Sequence, residues 1–164
     1  SAPAISLRSR MPRCDQERMV KLVFQLRQSV ERLRFLSEMD QASFTRDPDK
    51  LGSAKYHFIV AIEACIDICN HVISQNGYRA PEDYSDIFAV MEEVKALDPG
   101  FSAELKKMAK FRNRLLHIYW EVDDVQLYEI LQTRLDDFKR FLDAMAKFLG
   151  WSELPNRKSE PDGR

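Results

Sequence analysis

The chain has 164 residues, of which 45% are hydrophobic, and it contains only 5 glycines and 7 prolines. This length suits one domain with a real core, and the scarcity of turn-forming residues favours helices over a β-sandwich or barrel. The formal net charge of −1, from 25 basic and 26 acidic residues, excludes the bulk basic surface of a non-specific nucleic-acid binder, so any contact with RNA is expected through a local patch.

The cysteines and the lengths of the apolar runs indicate the cellular compartment in which the protein is expected. Cys14, Cys65 and Cys69 form an odd set without the spacing of a disulfide framework, which indicates a reducing environment. No uninterrupted apolar run reaches the roughly 18 residues that cross a membrane, and the first twelve residues lack the core of a signal peptide. We therefore expect a cytoplasmic protein with no membrane association.

Hydrophobic periodicity predicts two long helices in the first half of the chain. The first is expected over about 15–41 with Asp15 as its N-cap. Pro48 interrupts the pattern, and a second helix is expected over about 49–75, closed by Gly77. The middle of this second helix is apolar on more than one face, so we expect it to pack in the bundle core and against a second subunit.

The second half predicts three further helices. They are expected over about 81–97, over 103–120 with Ser102 as a cap, and over 123–149, where Asp123 and Gln126 resemble a capping box; residues 98–100 are expected to form a turn. The fold class is therefore all-α, an antiparallel bundle of about five helices. This bundle should occupy residues 15–150, after a flexible N-terminal extension, 1–14, and before a polar C-terminal tail, 151–164.

The predicted fourth helix carries the candidate site. At about 100° per residue, Asn113 and His117 fall almost opposite the apolar stripe, and Arg112 and Tyr119 lie together at its edge, where Arg112 can reach toward His117. Histidine can act as a base or an acid near neutral pH, and a guanidinium can hold two phosphate oxygens and stabilise the charge of a transition state. Asn113 could orient the histidine or the phosphate.

This set suits cleavage of RNA by attack of the 2′-hydroxyl, without a metal or cofactor, and a homodimer would supply a second histidine and arginine. The spacing alone leaves another reading open. In that reading Arg112 pairs with a surface acid, and His117 is a partly buried polar residue.

Residues 111–119, Phe-Arg-Asn-Arg-Leu-Leu-His-Ile-Tyr, resemble the signature of HEPN-domain proteins: arginine, a polar residue, three further residues and histidine. The tyrosine two residues after the histidine is the pattern of the HepT subgroup, the toxin partners of minimal nucleotidyltransferases. Residues 56–73 are similar to the central helix of that family, and residues 84–88 to its short third helix. The resemblance covers about 17–148.

The resemblance implies a dimerising helical bundle that acts as a toxin and a metal-independent endoribonuclease. It implies that Arg112 and His117 are catalytic, that Asn113 supports them, and that a cognate nucleotidyltransferase antitoxin transfers AMP to Tyr119. A phosphate there would compete for Arg112 and block RNA. The alternative, which the near-neutral charge favours, is a non-catalytic binding module that partners a nucleotidyltransferase.

Other polar residues of the second helix have weaker claims to function. Cys65 and Cys69 have a spacing that can bind zinc, but two more ligands would be needed, and buried cysteines are commoner on an apolar helix; no metal site is expected. Glu63 and Asp67, also four apart, would lie at a dimer seam or line the RNA cleft, and the sequence does not decide between these. His57 and His71 are interpreted as ordinary polar residues.

Overall fold

The computed structural model describes residues 11–117 and 122–155, and these residues form seven helices. No strand occurs in those ranges, so the all-α class is confirmed. The helices are α1 (Gln16–Ser37), α2 (Gln41–Thr45), α3 (Pro48–Asn76), α4 (Tyr84–Glu93), α5 (Pro99–Leu116), α6 (Asp124–Thr133) and α7 (Asp136–Leu149).

Aspartates begin six of these helices, each accepting hydrogen bonds from backbone N–H groups of the first turn. They are Asp15, Asp40, Asp47, Asp83, Asp98 and Asp123. The predicted caps Asp15 and Asp123 are confirmed. The predicted cap Ser102 is wrong, because Pro99 occupies the first turn of α5, where its missing N–H costs nothing. Ser102 is buried and donates its hydroxyl to the carbonyl of Phe88 at 3.1 Å.

Two predicted helices are each divided in the structure. The first ends at Ser37, and α2 begins after Asp40, whose carboxylate accepts the N–H of Ser43 at 2.8 Å. The predicted fifth helix is interrupted between α6 and α7. Its apolar periodicity continues through the interruption, since Leu131 and Leu135 are both buried, so the pattern gave no sign of it.

The core is built around α3, which packs against α1 along its length and also contacts α4, α5 and α7. Its buried residues include Phe58, Ile62, Cys65 and Ile68. Within the described ranges this helix is long and apolar enough to span a membrane by length and composition, but 56% of its most apolar stretch is buried inside the protein. Such burial is what the central helix of a bundle shows.

The described ends of the chain pack onto the bundle. The backbone N–H of Arg13 donates to Oδ1 of Asn76 at 2.7 Å, and Nδ2 of Asn76 donates back to the carbonyl of Arg13. At the other end Leu154 is buried, and its carbonyl accepts from Arg27 at 3.0 Å. Packing against the bundle therefore extends beyond the predicted limits of 15 and 150 on both sides.

Candidate active site

The candidate signature lies at the end of α5. This helix ends at Leu116, and His117 is its C-cap in an extended conformation (φ −93°, ψ 118°). The prediction that this helix continues past residue 116 is therefore wrong, and residues 118–121 lie outside the described part of the chain. Four of the five residues at 118–122 are β-branched or aromatic, types that lose side-chain freedom in a helix. The helical projection does not apply beyond Leu116, and Tyr119 lies outside the described residues.

Arg112 is held on three sides in the interior of the site. Its Nη2 lies 2.8 Å from Oε1 of Glu63 on α3, and its Nη1 donates to Oδ1 of Asn113 at 3.0 Å. Its guanidinium carbon lies over the ring of Tyr84 on α4, 4.6 Å from the ring centroid. Only 12% of the Arg112 side chain is exposed. We call Arg112, Glu63, Asn113 and Tyr84 the Arg112 cluster.

His117 stands apart from this cluster at the side-chain level. Its backbone N–H donates to the carbonyl of Asn113 at 3.2 Å, and its side chain is exposed. Among the residues that the structure describes, no hydrogen bond joins its ring to Arg112 or Asn113. The guanidinium lies against Glu63 instead of reaching toward His117 as expected. Asn113 thus contacts Arg112 through its side chain and His117 through its backbone.

The two acidic residues of α3, Glu63 and Asp67, have different surroundings. Glu63 pairs with Arg112, and Asp67 lies one turn further along α3 on the surface. Partial burial and the neighbouring Glu63 raise the pKa of Asp67, while the charges of Arg18 and Arg112 act in the opposite direction. The structure therefore places Glu63 in the candidate site, a role that its sequence position left open.

Tyr84 is the member of the cluster that sequence reasoning missed as a site residue. It is the first residue of α4 and is exposed at 45% of its surface. The sequence offered one signal: an aromatic residue at the start of a short helix, in the stretch 84–88 that resembles the family. Its contact with Arg112 joins positions 28 residues apart and depends on how α4 packs against α5.

The remaining candidate residues, two cysteines and two histidines, have surroundings typical of structural residues. Cys65 and Cys69 are buried, and burial raises the pKa of both thiols. Nε2 of His71 accepts the backbone N–H of Asp15 at 2.8 Å, and burial lowers the pKa of this histidine and of His57. Across 11–117 and 122–155, no three His, Cys, Asp or Glu side chains form a group that could hold a metal ion.

The chain matches the sequence model of a family described as ribonuclease HepT-like, over residues 26–145. It is 30% identical over 106 residues to the mRNA nuclease HepT of Shewanella oneidensis, covering 65% of this chain and 80% of that protein. It also resembles the structure of the tri-AMPylated S. oneidensis HEPN toxin in complex with MNT antitoxin, with a TM-score of 0.74, 26% identity, and coverage of 79% and 96% of the two chains. The fold is shared with Bacillus subtilis YutE at a TM-score of 0.70 and 19% identity, over 83% and 91% of the chains.

Proposed function

Because the chain belongs to the HepT-like ribonuclease family, we propose that it is the toxin of a toxin–antitoxin pair and a metal-independent RNA endonuclease. The observation that carries this proposal is that the Arg112 side chain is largely buried and already oriented by its neighbours. A guanidinium with 12% of its side chain exposed is held by Glu63, Asn113 and Tyr84, five residues before an exposed histidine. Orientation of a cation before the reaction is what stabilisation of a phosphorane-like transition state requires.

The chemistry uses one proton acceptor and one proton donor. A base removes the proton of a 2′-hydroxyl, whose oxygen then forms a bond to the adjacent phosphorus. The bond from phosphorus to the 5′-oxygen breaks, an acid donates a proton to that oxygen, and a 2′,3′-cyclic phosphate remains. We assign proton transfer to His117 and binding of the phosphate oxygens to Arg112. A homodimer would bring a second His117, so that one copy acts as the base and the other as the acid.

We further propose that a nucleotidyltransferase antitoxin transfers AMP to Tyr119. The similar S. oneidensis toxin is described as tri-AMPylated and in complex with its MNT antitoxin. Tyr119 is two residues from His117, so a phosphodiester on its hydroxyl would add acceptor oxygens and negative charge close to the site. These would compete with the phosphate of RNA for Arg112.

We place this activity in the cytoplasm, where RNA is the available substrate. All three cysteines, Cys14, Cys65 and Cys69, are free thiols in the structure, which agrees with a reducing compartment.

A second candidate function is a binding module without catalysis. The observation that favours it is the pairing of Arg112 with Glu63, since a guanidinium that already has a carboxylate partner attracts a phosphate less strongly. In this case the folded protein would form a complex with the nucleotidyltransferase but would not cleave RNA.

The decisive experiment incubates the purified chain with RNA in EDTA. We expect cleavage that leaves cyclic phosphate ends, and a loss of about 100-fold or more in His117→Ala. The matched control is Arg114→Ala, two positions from Arg112 on the same helix, whose side chain bonds to Gln126 instead. Cleavage that survives in His117→Ala, or that stops with chelator, would contradict the proposal.

The modification has its own test. Incubation with the nucleotidyltransferase and ATP should add mass in steps of one AMP unit, and the added mass should map to Tyr119. Modification that continues unchanged in Tyr119→Phe would refute this assignment.

A further inference from the structure

Tyr84 contacts the guanidinium of Arg112 and is also exposed to solvent. One side of its ring is covered by the guanidinium, with 4.6 Å between the guanidinium carbon and the ring centroid. Even so, 45% of the residue remains exposed. Tyr84 therefore contacts the residue proposed to bind phosphate, and almost half of its surface remains accessible beside that contact.

The backbone that carries Tyr84 is held firmly. Asp83 caps α4 by accepting the N–H of Asp86 at 2.7 Å. Arg79 binds the carboxylate of Asp86 at 2.8 and 3.1 Å and also binds Glu93 at 2.9 Å. The N–H of Glu82 donates to Asp86 at 2.9 Å. These hydrogen bonds tie the first turn of α4 to the segment before it, and so they hold the backbone of Tyr84 in place.

We propose that Tyr84 is the nucleobase platform of the ribonuclease site: its ring holds Arg112 in place and stacks on a base that adjoins the bound phosphate. The inference rests on the proposed function and assigns that site a residue for substrate recognition. A fixed tyrosine loses little conformational entropy when it binds, and unpaired RNA bases are recognised by stacking on aromatic side chains.

The chemistry favours a base over other occupants of this surface. Arg112 contacts the ring directly, so a phosphate bound to Arg112 brings its own nucleotide next to Tyr84. Stacking uses the π-face that every base has, so the platform tolerates different sequences but requires an unpaired nucleotide. We therefore expect cleavage in single-stranded RNA, with one flanking base contributing strongly to the rate.

The test uses a 2′-O-methyl RNA strand with a single unmodified ribonucleotide, so that only one 2′-hydroxyl can attack. Each base flanking the cleavable phosphate is replaced in turn by an abasic residue. The protein variants are Tyr84→Leu, which removes the ring, and Tyr84→Phe, which keeps it. The matched control is Phe35→Leu, because Phe35 is 54% exposed and also has an arginine, Arg32, over its ring at 5.3 Å.

One abasic replacement should slow the wild-type protein about 5- to 150-fold, the range expected for loss of one base–aromatic stack. Tyr84→Leu should be slowed on the intact strand, and Tyr84→Phe should recover most of the lost rate because it keeps the ring. The control Phe35→Leu should resemble wild type. In Tyr84→Leu the same abasic replacement should have little further effect, since the two changes remove one interaction. If the rate losses from Tyr84→Leu and from the abasic replacement combine independently, the platform is refuted. The role of Tyr84 is then limited to its contact with Arg112.

A binding measurement separates failure of the platform from failure of the ribonuclease. The fully 2′-O-methylated strand, which cannot be cleaved, carries 2-aminopurine at the flanking position. Stacking should quench its fluorescence with wild type and Tyr84→Phe but not with Tyr84→Leu. Tyr84-dependent quenching without cleavage of RNA would refute the nuclease and retain the platform as a binding site. Cleavage that is insensitive to both abasic positions would refute the platform and retain the nuclease.

Discussion

Oε1 of Glu63 lies 2.8 Å from Nη2 of Arg112, and this ion pair joins α3 to α5 at the candidate active site. The arginine side chain is 12% exposed and the glutamate side chain 41% exposed, so the charge of the guanidinium has a partner within the protein while the carboxylate keeps part of its hydration. Under the proposed function, a phosphate of RNA would bind the same guanidinium. Glu63 would then both orient Arg112 and compete with the substrate for it.

We expect Glu63→Gln and Glu63→Ala to separate these two effects. Glutamine keeps an acceptor oxygen but loses the charge, so KM for RNA should fall several-fold while kcat changes by less than about threefold. Alanine removes a charge-assisted hydrogen bond worth roughly 1.5–3 kcal/mol, so Arg112 should lose its orientation and kcat should fall about tenfold. Steady-state kinetics on an RNA with one cleavable phosphate would measure both constants.

The control for this pair is Glu104→Gln, since Glu104 pairs with Lys107 and Arg134 away from the cluster. It should leave kcat and KM unchanged. Equal constants for wild type and both Glu63 variants would show that Glu63 does not position Arg112.

Arg112→Lys should reduce kcat about 100-fold even though the charge is kept. An ammonium cannot reproduce the planar contacts with Glu63, Asn113 and the ring of Tyr84, and loss of one oriented donor to a developing charge typically costs 100-fold or more. Arg114→Lys is the matched control and should retain activity. Cleavage rates under single-turnover conditions would decide, and near-normal turnover of Arg112→Lys would mean that only charge is required there.

Local chemistry in the sequence was enough to predict several parts of this fold. Capping by Asp15 and Asp123 depends on residues within one helical turn, and the end of α3 at Gly77 depends on a left-handed conformation (φ 63°) that glycine adopts readily. The stretch 111–119 could be recognised because its residues are contiguous. Each of these features can be read without knowing what packs against it.

The partners of Arg112 could not be predicted in this way. Glu63 is 49 positions away and Tyr84 is 28, so both contacts depend on how three helices pack. The helical projection also assumed that α5 continued through His117, whereas the helix ends at Leu116. The sequence therefore identified the candidate residues of the signature, but it did not identify the side chains that contact Arg112.

Asp86 should contribute to stability in a pH-dependent way through the first turn of α4. Hydrogen bonds from Arg79 and from the N–H of Glu82 lower the pKa of Asp86 to about 2, below its ordinary value of 3.8. A lowered pKa stabilises the folded state above the unfolded pKa, and this contribution is lost as the pH falls through the folded pKa. Asp86→Asn should therefore be less stable than wild type at pH 7, and the difference should shrink between about pH 4 and pH 2.

Urea unfolding followed by circular dichroism at several pH values would measure this difference. Asp143→Asn is the control, because Asp143 pairs with Lys139 on the exposed face of α7 and such surface pairs contribute little. A gap between wild type and Asp86→Asn that stays constant from pH 7 to pH 2 would contradict the assignment.

The thiols of α3 should be inert in the folded protein. Cys65 and Cys69 are buried, and burial raises the pKa of each, so the thiolate that reacts with disulfide reagents is scarce as well as inaccessible. Cys14 is half-buried, and its pKa is also raised, mainly by burial and then by Asp15. An aromatic disulfide reagent should thus modify Cys14 slowly in the native protein and all three cysteines in denaturant.

Cys14→Ser should abolish the native reaction and leave two thiols that appear only on unfolding. The same variant tests the zinc spacing of Cys65 and Cys69, because zinc binds thiolates and would require both buried thiols to lose their protons. Rapid modification of native Cys14→Ser, or zinc retained in a one-to-one ratio after dialysis, would show that this part of α3 opens to solvent. In that case the buried pair would be a reactive site, and the core of the bundle would be less closed than the packing of α3 indicates.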